Sequence, residues 1–326
     1  MTDTSVYNGN VVKRFTELKA NAHLAHAYLF VGPQGVGKSE TALVLAQLLN
    51  CERPHKDSSC GECPACRKIA GKIHPDVHWV EKEEDKETIG IDQIRDLIRQ
   101  SQLRPYEGRR KIFIIKNAED LTAESGNSLL KTLEEPVATS FLILTTSVVE
   151  KLLDTVRSRC HVMVFPALSS RKLAQIMKKD YAMEDSQAYC LASMAQGCPS
   201  IARRLFDGGF LKRKNTAIDE LFFAGDNEAY WKKVLSDRQE IRSALDVLLS
   251  LLRDLMLLKV GGPEDILVNA DRLPELKRWK SQYLFNDLLE LNREVVEALC
   301  TLEENLNVKV AFALIRERLL AANLSR

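Results

Sequence analysis

The sequence predicts an α/β domain around a mostly parallel, five-stranded sheet, followed by a wholly helical C-terminal half. Two observations lead to this fold class. Between residue 27 and about residue 166, short β-rich runs alternate with helical patterns, which is typical of βαβ units. After residue 168 the strand signals stop, and apolar residues recur only at helical spacing. A chain of 326 residues has room for two or three domains, each with its own core.

Local signals place the elements of the first part. One helix opens at Gly37, a second begins near Asp92, and a third begins at Thr122 and stops at Pro136. Runs rich in β-branched and aromatic residues are predicted as strands at 27–32, 77–81, 111–116, 140–146 and 161–165. The alternation of these strands and helices gives an α/β domain over residues 1–167.

The helical half is predicted to contain two further domains. Three short helices, at 169–180, 184–196 and 199–206, form a small module within residues 168–208. A looser stretch at 207–215 leads into longer amphipathic segments, so we assign 209–326 to a separate helical domain with a break at 260–266. Two of its helices are predicted from apolar residues at helical spacing. These are Ile241, Leu245, Leu248, Leu252 and Leu255 in one helix, and Val308, Ala311, Ile315 and Leu319 in the last.

A glycine-rich segment between the first strand and its helix predicts a phosphate-binding loop, or P-loop. It consists of Gly32, Pro33, Gln34, Gly35, Val36, Gly37, Lys38 and Ser39. The glycines let successive backbone N–H groups curl around an oxyanion, and the following helix adds the partial positive charge of its N-terminus. Lys38 is expected to reach the outer phosphates, and Ser39 to ligate Mg²⁺. The alternative is a glycine-rich turn that matches the pattern by accident.

The strand at 111–116 ends in residues that do not suit ATP hydrolysis. Hydrolysis needs a carboxylate behind the metal and a group that orients water, and most P-loop proteins take these from a later strand end. Here that position holds Lys116 and Asn117, and the next acidic residues are Glu119 and Asp120. Because side chains alternate along a strand, we expect those later acids to be aimed differently. The pattern therefore favours nucleotide binding without turnover.

The sequence contains eight cysteines, and four of them form a cluster: Cys51, Cys60, Cys63 and Cys66. The spacing puts three thiols in two overlapping chelate turns and a fourth at the end of the preceding helix. Four thiolates about 2.3 Å from one ion form the closed, tetrahedral arrangement of structural zinc. An iron–sulfur cluster and unliganded thiols are the alternatives. We expect the nearby His55 and His74 to be surface residues.

The charge balance excludes a global positive field that would attract nucleic acid, because 46 Lys and Arg residues face 45 Asp and Glu residues. Basic clusters such as 212–214 are expected to be solvated faces. The first ten residues lack a basic-then-apolar signal pattern, and no apolar run approaches the roughly 18 residues of a membrane span. We therefore expect a cytoplasmic protein that does not contact the membrane.

Four features together resemble the bacterial clamp-loader subunits of the AAA+ class. These are the P-loop, the cysteine insertion after its helix, the segment NSLLKTLEEP at 127–136 and the triplet Ser-Arg-Cys at 158–160. The resemblance extends to the C-terminal segment 305–320, and it implies an AAA+ domain, a three-helix lid and a helical collar with the boundaries given above. It also implies membership of the DNA polymerase III clamp loader, a hetero-pentamer with gamma/tau and delta subunits. Contact with the sliding clamp and primed DNA would then come through the complex.

Departures from the motor pattern of this family favour its delta-prime branch. Gamma/tau motors end the strand corresponding to 111–117 in Asp-Glu, and they place a cis arginine where this sequence has Ser200. The retained Arg159 implies an arginine finger that acts in trans on the nucleotide of a neighbouring subunit. A plain surface arginine is the alternative. The resemblance also implies zinc on the four cysteines, and ATP or ADP in the P-loop, with Mg²⁺ if the nucleotide is ATP.

Two other functions stay open at this point. One is a catalytically active gamma/tau-type ATPase that uses Glu119 or Asp120 as a displaced acid. The other is a stand-alone P-loop nucleotide kinase with a zinc lid, which is disfavoured because the long C-terminal helical domain would have no task.

Overall fold

The computed structural model describes residues 5–20, 23–55, 58–222, 228–303, 310 and 313–319. The chain divides into two compact units, one formed by residues 1–168 with 198–200 and the other by residues 169–197 with 201–326. The predicted collar and most of the predicted lid therefore fall in the same unit, whereas lid residues 168 and 198–200 belong to the first unit, and a domain boundary at residue 208 stays a prediction.

The first unit is built on a parallel sheet, and this confirms the predicted fold class. Its strands within the described residues are β1 (Ala27–Val31), β2 (Val77–Val80), β3 (Lys111–Ile115), β4 (Ser140–Thr146) and β5 (His161–Val164). They lie in the order β2-β3-β4-β1-β5, and every pairing is parallel. All residues of β3 and β4 are buried, as expected for strands covered on both faces. Each strand ends within one residue of its predicted bounds.

Helices connect the strands of the first unit. They are α1 (Ser5–Ala20), α2 (Lys38–Asn50), α3 (Pro64–Ala70), α4 (Ile91–Ser101), α5 (Ala123–Glu134) and α6 (Asp154–Arg157). The predicted starts of α2, α4 and α5 are confirmed, and the Thr122 hydroxyl caps α5 by accepting the Ser125 N–H. The sequence reading missed α1, α3 and α6. The latter two are short, and α3 lies among the glycine, proline and cysteine residues that signal a loop.

Two apolar clusters cover the two faces of the sheet. One includes Phe30 of β1 with Phe15 of α1 and Leu45 of α2, and the other includes Leu29 of β1 with Leu129 of α5. Neighbouring residues of one strand thus enter opposite cores, as the pleat requires. With both faces covered, the edge at which the parallel strands end is left for binding.

The rest of the described chain is helical. Its helices are α7 (Ser170–Tyr181), α8 (Asp185–Met194), α9 (Pro199–Asp207), α10 (Phe210–Phe222), α11 (Glu228–Ser236), α12 (Arg238–Lys259), α13 (Leu273–Gln282) and α14 (Phe285–Glu303). The three short helices predicted before residue 208 are confirmed as α7 to α9. The break at 260–266 is also confirmed, because α12 ends at Lys259 and a 3₁₀ turn follows at Glu264–Ile266.

The loose stretch predicted at 207–215 is wrong, because α10 begins within it. Gly209, at φ +67°, ends the preceding turn, and a new helix starts one residue later. Its apolar residues Phe210, Ile218 and Leu221 are buried. Burial of this face against the rest of the unit outweighs the weak local signal of a glycine- and lysine-rich segment.

The apolar residues that predicted α12 are all buried in this unit, and so are Ile315 and Leu319 near the C-terminus. The other two residues of that last pattern, Val308 and Ala311, lie outside the described residues. None of the described helices combines the length and the apolar character that a membrane span requires.

The expectation that 212–214 is a solvated face is wrong for Lys214. Its side chain is only 1% exposed, and its Nζ lies 2.7 and 2.8 Å from the two carboxylate oxygens of Asp271. Nearby, the fully buried Asp254 accepts N–H bonds from Val268 and Asn269 at 3.1 and 2.7 Å. The buried Lys214 and Asp254 thus both have partners in the segment 268–271. A buried charged group needs such partners because it has lost its contact with water.

Candidate nucleotide-binding site and cysteine cluster

The P-loop lies between β1 and α2, where three of its glycines are required by geometry. Gly35 and Gly37 have φ values of +79° and +100°, in the region that side chains rarely adopt. At Gly32, a Cβ atom would lie 2.2 Å from the carbonyl oxygen of Phe165, which follows β5. Any larger residue at these positions would therefore distort the loop.

Lys38 is the first residue of α2, and its side chain folds over the loop. The ammonium donates to the carbonyl oxygens of Gly32 and Pro33 at 2.5 and 2.9 Å, and the residue is only 7% exposed. Burial lowers the pKa of Lys38, while the charge of Glu119 opposes that shift. Within the loop, Val36 is buried and anchors it in the core, whereas Pro33 and Gln34 are exposed. The ammonium of Lys38 thus lies against the loop itself, and its expected contact with phosphates stays a prediction.

Lys116 and Asn117 are directed toward different strands. The Lys116 ammonium lies 2.8 Å from Oε2 of Glu81, at the end of the edge strand β2. Asn117 adopts a left-handed conformation with φ +53°, and its N–H donates to Oγ1 of Thr145 at 3.1 Å. The cation after β3 is therefore directed away from β1 and the loop that follows it.

The side chain of Glu119 points in a direction that strand alternation did not predict. It lies in a 3₁₀ turn, Ala118–Asp120, so strand alternation does not decide its direction. Its Oε1 accepts the N–H of Ser147 at 3.0 Å and the hydroxyl of Ser147 at 2.6 Å. Ser147 follows β4, the strand paired with β1, so the carboxylate reaches the edge that carries the P-loop. The signal in the sequence was an acidic residue four positions after the last residue of β3, which the alternative of an active ATPase names as a displaced acid.

Ser200 lies against the P-loop. Its N–H donates to the carbonyl oxygen of Gly35 at 3.0 Å, and its hydroxyl is 3.4 Å from Oε1 of Glu40. The preceding Cys198 is 3% exposed, and burial raises its pKa. The side chain that residue 200 places beside the loop is thus a neutral hydroxyl.

Arg159 lies on the surface of the first unit, beyond the C-terminus of α6. Its guanidinium is 34% exposed, and Nε donates to Oε1 of Glu134 at 2.8 Å while Nη2 binds the same oxygen. Nη1 donates to the carbonyl oxygen of Thr155 at 3.0 Å. The charged fork is thus held by the end of α5 while part of it stays open to solvent.

The four clustered cysteines converge, although they are 15 residues apart along the chain at most. Their sulfur atoms all lie within 4.8 Å of one another. The Sγ atoms of Cys51 and Cys60 are 3.5 Å apart, and those of Cys60 and Cys66 are 4.0 Å apart. A tetrahedron with metal–sulfur bonds of about 2.3 Å has sulfur–sulfur edges of about 3.8 Å. The cluster therefore has the dimensions of a four-thiolate metal site.

Backbone N–H groups favour the thiolate form of Cys60 and Cys63, whereas burial raises the pKa of Cys66. The N–H of Cys63 and that of Glu62 lower the pKa of the Cys60 thiol to about 6. The N–H of Cys66 points in the same way to the sulfur of Cys63, at 3.4 Å. A metal ion requires deprotonated thiols, so these donors prepare the ligands for binding.

His74 is not the surface residue that the sequence predicted, whereas His55 is exposed. His74 is 3% exposed, its Nδ1 accepts the N–H of Asp76 at 3.1 Å, and burial lowers its pKa. It is not among the residues whose ligand atoms converge on the cysteine cluster.

Two buried side chains hold the loop at 106–110, next to the cysteine cluster. The carboxylate of Asp76 accepts the N–H groups of residues 106, 107 and 108 at 2.7, 2.9 and 2.7 Å. Oδ1 of Asn50 accepts the next two, at 3.0 and 2.9 Å, and its amide donates to the carbonyl oxygen of Arg110 at 3.0 Å. Because Asn50 directly precedes Cys51, the first cysteine ligand is tied to the start of β3.

Comparison with known proteins adds to this geometry. Residues 7–169 match the protein family described as DNA polymerase III, delta subunit. The match covers half of the chain, and it contains the P-loop, the cysteine cluster and Arg159. The chain belongs to this family.

Curated relatives of this delta-subunit family member include subunits of two kinds. DNA polymerase III subunit delta′ of Bacillus subtilis is 29% identical over 88% of each chain. The delta′ subunit of Pseudomonas aeruginosa is 33% identical over 206 residues, and this match spans 63% of each chain, just under two thirds of the relative's length. Subunit tau of Bacillus subtilis is 30% identical, over 67% of this chain and 37% of tau.

Among solved structures, a DNA polymerase III gamma-subunit-related protein from Thermotoga maritima covers 95% of this chain with a TM-score of 0.47 and 19% identity. That likeness is too distant to add to the fold assignment, which rests on the sheet of the delta-subunit family member itself.

Proposed function

We propose that this chain is a delta-prime-type subunit of the DNA polymerase III clamp loader that binds nucleotide without hydrolysing it. In this proposal it joins gamma/tau and delta subunits in a hetero-pentamer through its helical C-terminal half. It presents Arg159 to the nucleotide of a neighbouring ATPase, and the complex loads the sliding clamp on primed DNA. The protein is then cytoplasmic, and it contributes to a DNA polymerase holoenzyme rather than turning over ATP itself.

One observation carries the proposal: the P-loop is intact, while the strand that should supply hydrolytic acids ends in Lys116. Among the described residues the lysine pairs with Glu81, which follows the edge strand β2. Ser200, where motor subunits place an arginine, offers a hydroxyl that already contacts Glu40. A pocket without an acid directly after β3 and without a cis arginine lacks two groups on which hydrolysis depends.

The surroundings of Arg159 suit an arginine finger that acts in trans. An exposed ion pair contributes about 0–1 kcal/mol. The contact with Glu134 therefore orients the guanidinium, and breaking it requires little free energy. A neighbouring triphosphate offers more charge and a better match to the planar fork than a single carboxylate. The guanidinium can therefore exchange Glu134 for a phosphate when a partner subunit docks.

The cysteine cluster supports a structural zinc ion, held by Cys51, Cys60, Cys63 and Cys66. Four sulfur ligands close the coordination shell, so the ion would stabilise the module rather than perform chemistry. Elemental analysis of the purified chain should give about one zinc per molecule, and removal by a chelator should lower the melting temperature of the protein. Protein prepared with metal present but containing almost none would refute the assignment.

Nucleotide binding is tested by calorimetric titration of the isolated chain with ATP and ADP. Replacing Lys38 with alanine should weaken ATP binding by about 10- to 100-fold, because a charged contact contributes roughly 1.5–3 kcal/mol. The matched control is Lys116→Ala, which removes a lysine that pairs with Glu81 and should leave affinity unchanged. Equal affinity of the Lys38 variant and the native chain would contradict a P-loop site.

The trans arginine is tested in the reconstituted complex with gamma/tau and delta. Arg159→Ala should leave assembly intact and reduce DNA-stimulated ATP hydrolysis by the partner by roughly 10³-fold or more at the affected site. Arg157→Ala is the control, because Arg157 is the last residue of α6, is 46% exposed and pairs with Asp154 of the same helix. Unchanged hydrolysis with the Arg159 variant would sink the trans role.

The second candidate is a gamma/tau-type ATPase with a displaced acid, and the place of Glu119 near the P-loop favours it over the nucleotide kinase. It predicts ATP turnover by the isolated chain that Lys38→Ala abolishes. Hydrolysis at the rate of a motor subunit would replace the first proposal with this one.

A further inference from the structure

We infer that Glu119 is the carboxylate through which this pocket binds a divalent cation on the phosphates of a bound nucleotide. This inference rests on the proposed nucleotide binding. It assigns a specific role to a residue that lies two positions beyond the strand-end place where such an acid is usually found.

The position of Glu119 is defined by hydrogen bonds from Ser147. Oε1 is held by the N–H and the hydroxyl of Ser147, at 3.0 and 2.6 Å. Ser147 follows Thr146, which is the register partner of Val31, the last residue of β1 before the P-loop. The carboxylate is thus fixed at the same edge of the sheet as the loop, by two hydrogen bonds that restrict its rotation.

The second oxygen of this carboxylate lacks a partner. Oε2 is buried and accepts no hydrogen bond from the described residues. A buried carboxylate oxygen left unsatisfied costs on the order of 1–3 kcal/mol, so its presence calls for an external partner. The charge of Glu119 acts on Lys38, so the carboxylate lies near the lysine of the loop, although no ion pair joins the two among the described residues.

The charge and chemistry of the group suit a hard cation. A carboxylate is ordinarily ionised at neutral pH, and the N–H and hydroxyl donors of Ser147 favour that form of Glu119. Mg²⁺ prefers oxygen ligands and is commonly held by one or two carboxylates together with phosphate oxygens. Ser39 at the start of α2 supplies the hydroxyl that a P-loop offers to the same ion.

The role predicts opposite effects of one substitution with and without metal. In Glu119→Gln the shape and an acceptor for Ser147 are kept, but the negative charge is lost. Without divalent cations, ATP should bind this variant more tightly than the native chain, because repulsion between carboxylate and triphosphate is removed. With Mg²⁺ the order should reverse, so the gain in affinity on adding Mg²⁺ should fall by about tenfold.

The experiment is a titration of the full chain with a fluorescent ATP analogue, in EDTA and in saturating Mg²⁺. Asp120→Asn is the matched control, since it neutralises the adjacent carboxylate and should keep the native response to Mg²⁺. Ser147→Ala, which removes one of the two donors to Glu119, should reduce the response partially. Melting curves of each variant test whether it is folded.

The outcomes separate the inference from the function on which it rests. A native chain that binds the analogue and a Glu119→Gln variant with an unchanged Mg²⁺ response would overturn the inference alone. An equal loss of the Mg²⁺ response in Asp120→Asn would also overturn the inference. The effect would then come from the loss of any negative charge in this region and not from the position of Glu119. A native chain that binds no analogue in either condition would overturn both the inference and the proposed nucleotide binding.

Discussion

Replacing Asp76 with alanine tests how the loop at 106–110 is held beside the cysteine cluster. The carboxylate is fully buried and accepts three consecutive backbone N–H groups at 2.7–2.9 Å. Hydrogen bonds to a charged group contribute roughly 1.5–3 kcal/mol each, or about 5–9 kcal/mol together. Desolvation of the carboxylate offsets several kcal/mol of this sum. We therefore expect the substitution to destabilise the first unit by about 2–4 kcal/mol.

Hydrogen exchange measured by mass spectrometry is the direct assay. Peptides that contain residues 106–108 should exchange about 30- to 1,000-fold faster in Asp76→Ala, since each 1.4 kcal/mol corresponds to a factor of ten. Amides 109 and 110, which Asn50 holds, provide an internal comparison and should lose less protection. The control is Asp92→Ala, because the side chain of Asp92 is 93% exposed. Native protection at 106–108 in the Asp76 variant would refute the reasoning.

The contacts of Asp76 also predict how the stability of the folded chain changes with pH. Burial alone would raise the pKa of Asp76, but the N–H donors of the loop outweigh it and lower the pKa below the ordinary value of 3.8. A group whose pKa is lowered by folding stabilises the folded state above its unfolded pKa and loses that contribution as the pH falls through its folded pKa. The native chain should therefore lose stability relative to Asp76→Ala below about pH 4. A stability difference that stays constant from pH 7 to pH 3 would contradict this assignment.

Two further substitutions probe packing. Gly32→Ala should abolish nucleotide binding and lower the stability of the protein by several kcal/mol, because the new Cβ would lie 2.2 Å from the Phe165 carbonyl oxygen. The control is Gly9→Ala, which should be neutral or stabilising in thermal melts because the space around its Cβ is open. Asp271→Ala should cost about 3–5 kcal/mol in urea denaturation because it leaves the buried Lys214 without its carboxylate, whereas the double variant with Lys214→Met should recover most of that loss. Tolerance of alanine at Gly32, or no recovery in the double variant, would show that these contacts do not limit stability.

The functional site was only partly predictable. The P-loop and the four cysteines could be predicted from the sequence because each motif is short and its chemistry follows from local spacing. Glu119 was misjudged because a 3₁₀ turn, not a continued strand, carries it to Ser147, 28 residues away. Asp76 gave no signal, because a lone aspartate after a histidine and a proline looks like an ordinary turn residue.

What the sequence by itself determined were the features set by local pattern: the strands of the sheet, the helix starts at Thr122 and Gly37, the loop glycines and the cysteine spacing. Periodicity and turn chemistry act over a few residues, so they can be read without knowing the partners of each side chain. Only the tertiary structure decided which charges are buried and what faces the pocket. Lys214 meets Asp271 from 57 residues away, and Ser200 meets Glu40 from 160 residues away. Such contacts form when distant segments pack together, and the free energy of that packing leaves no periodic trace in the sequence.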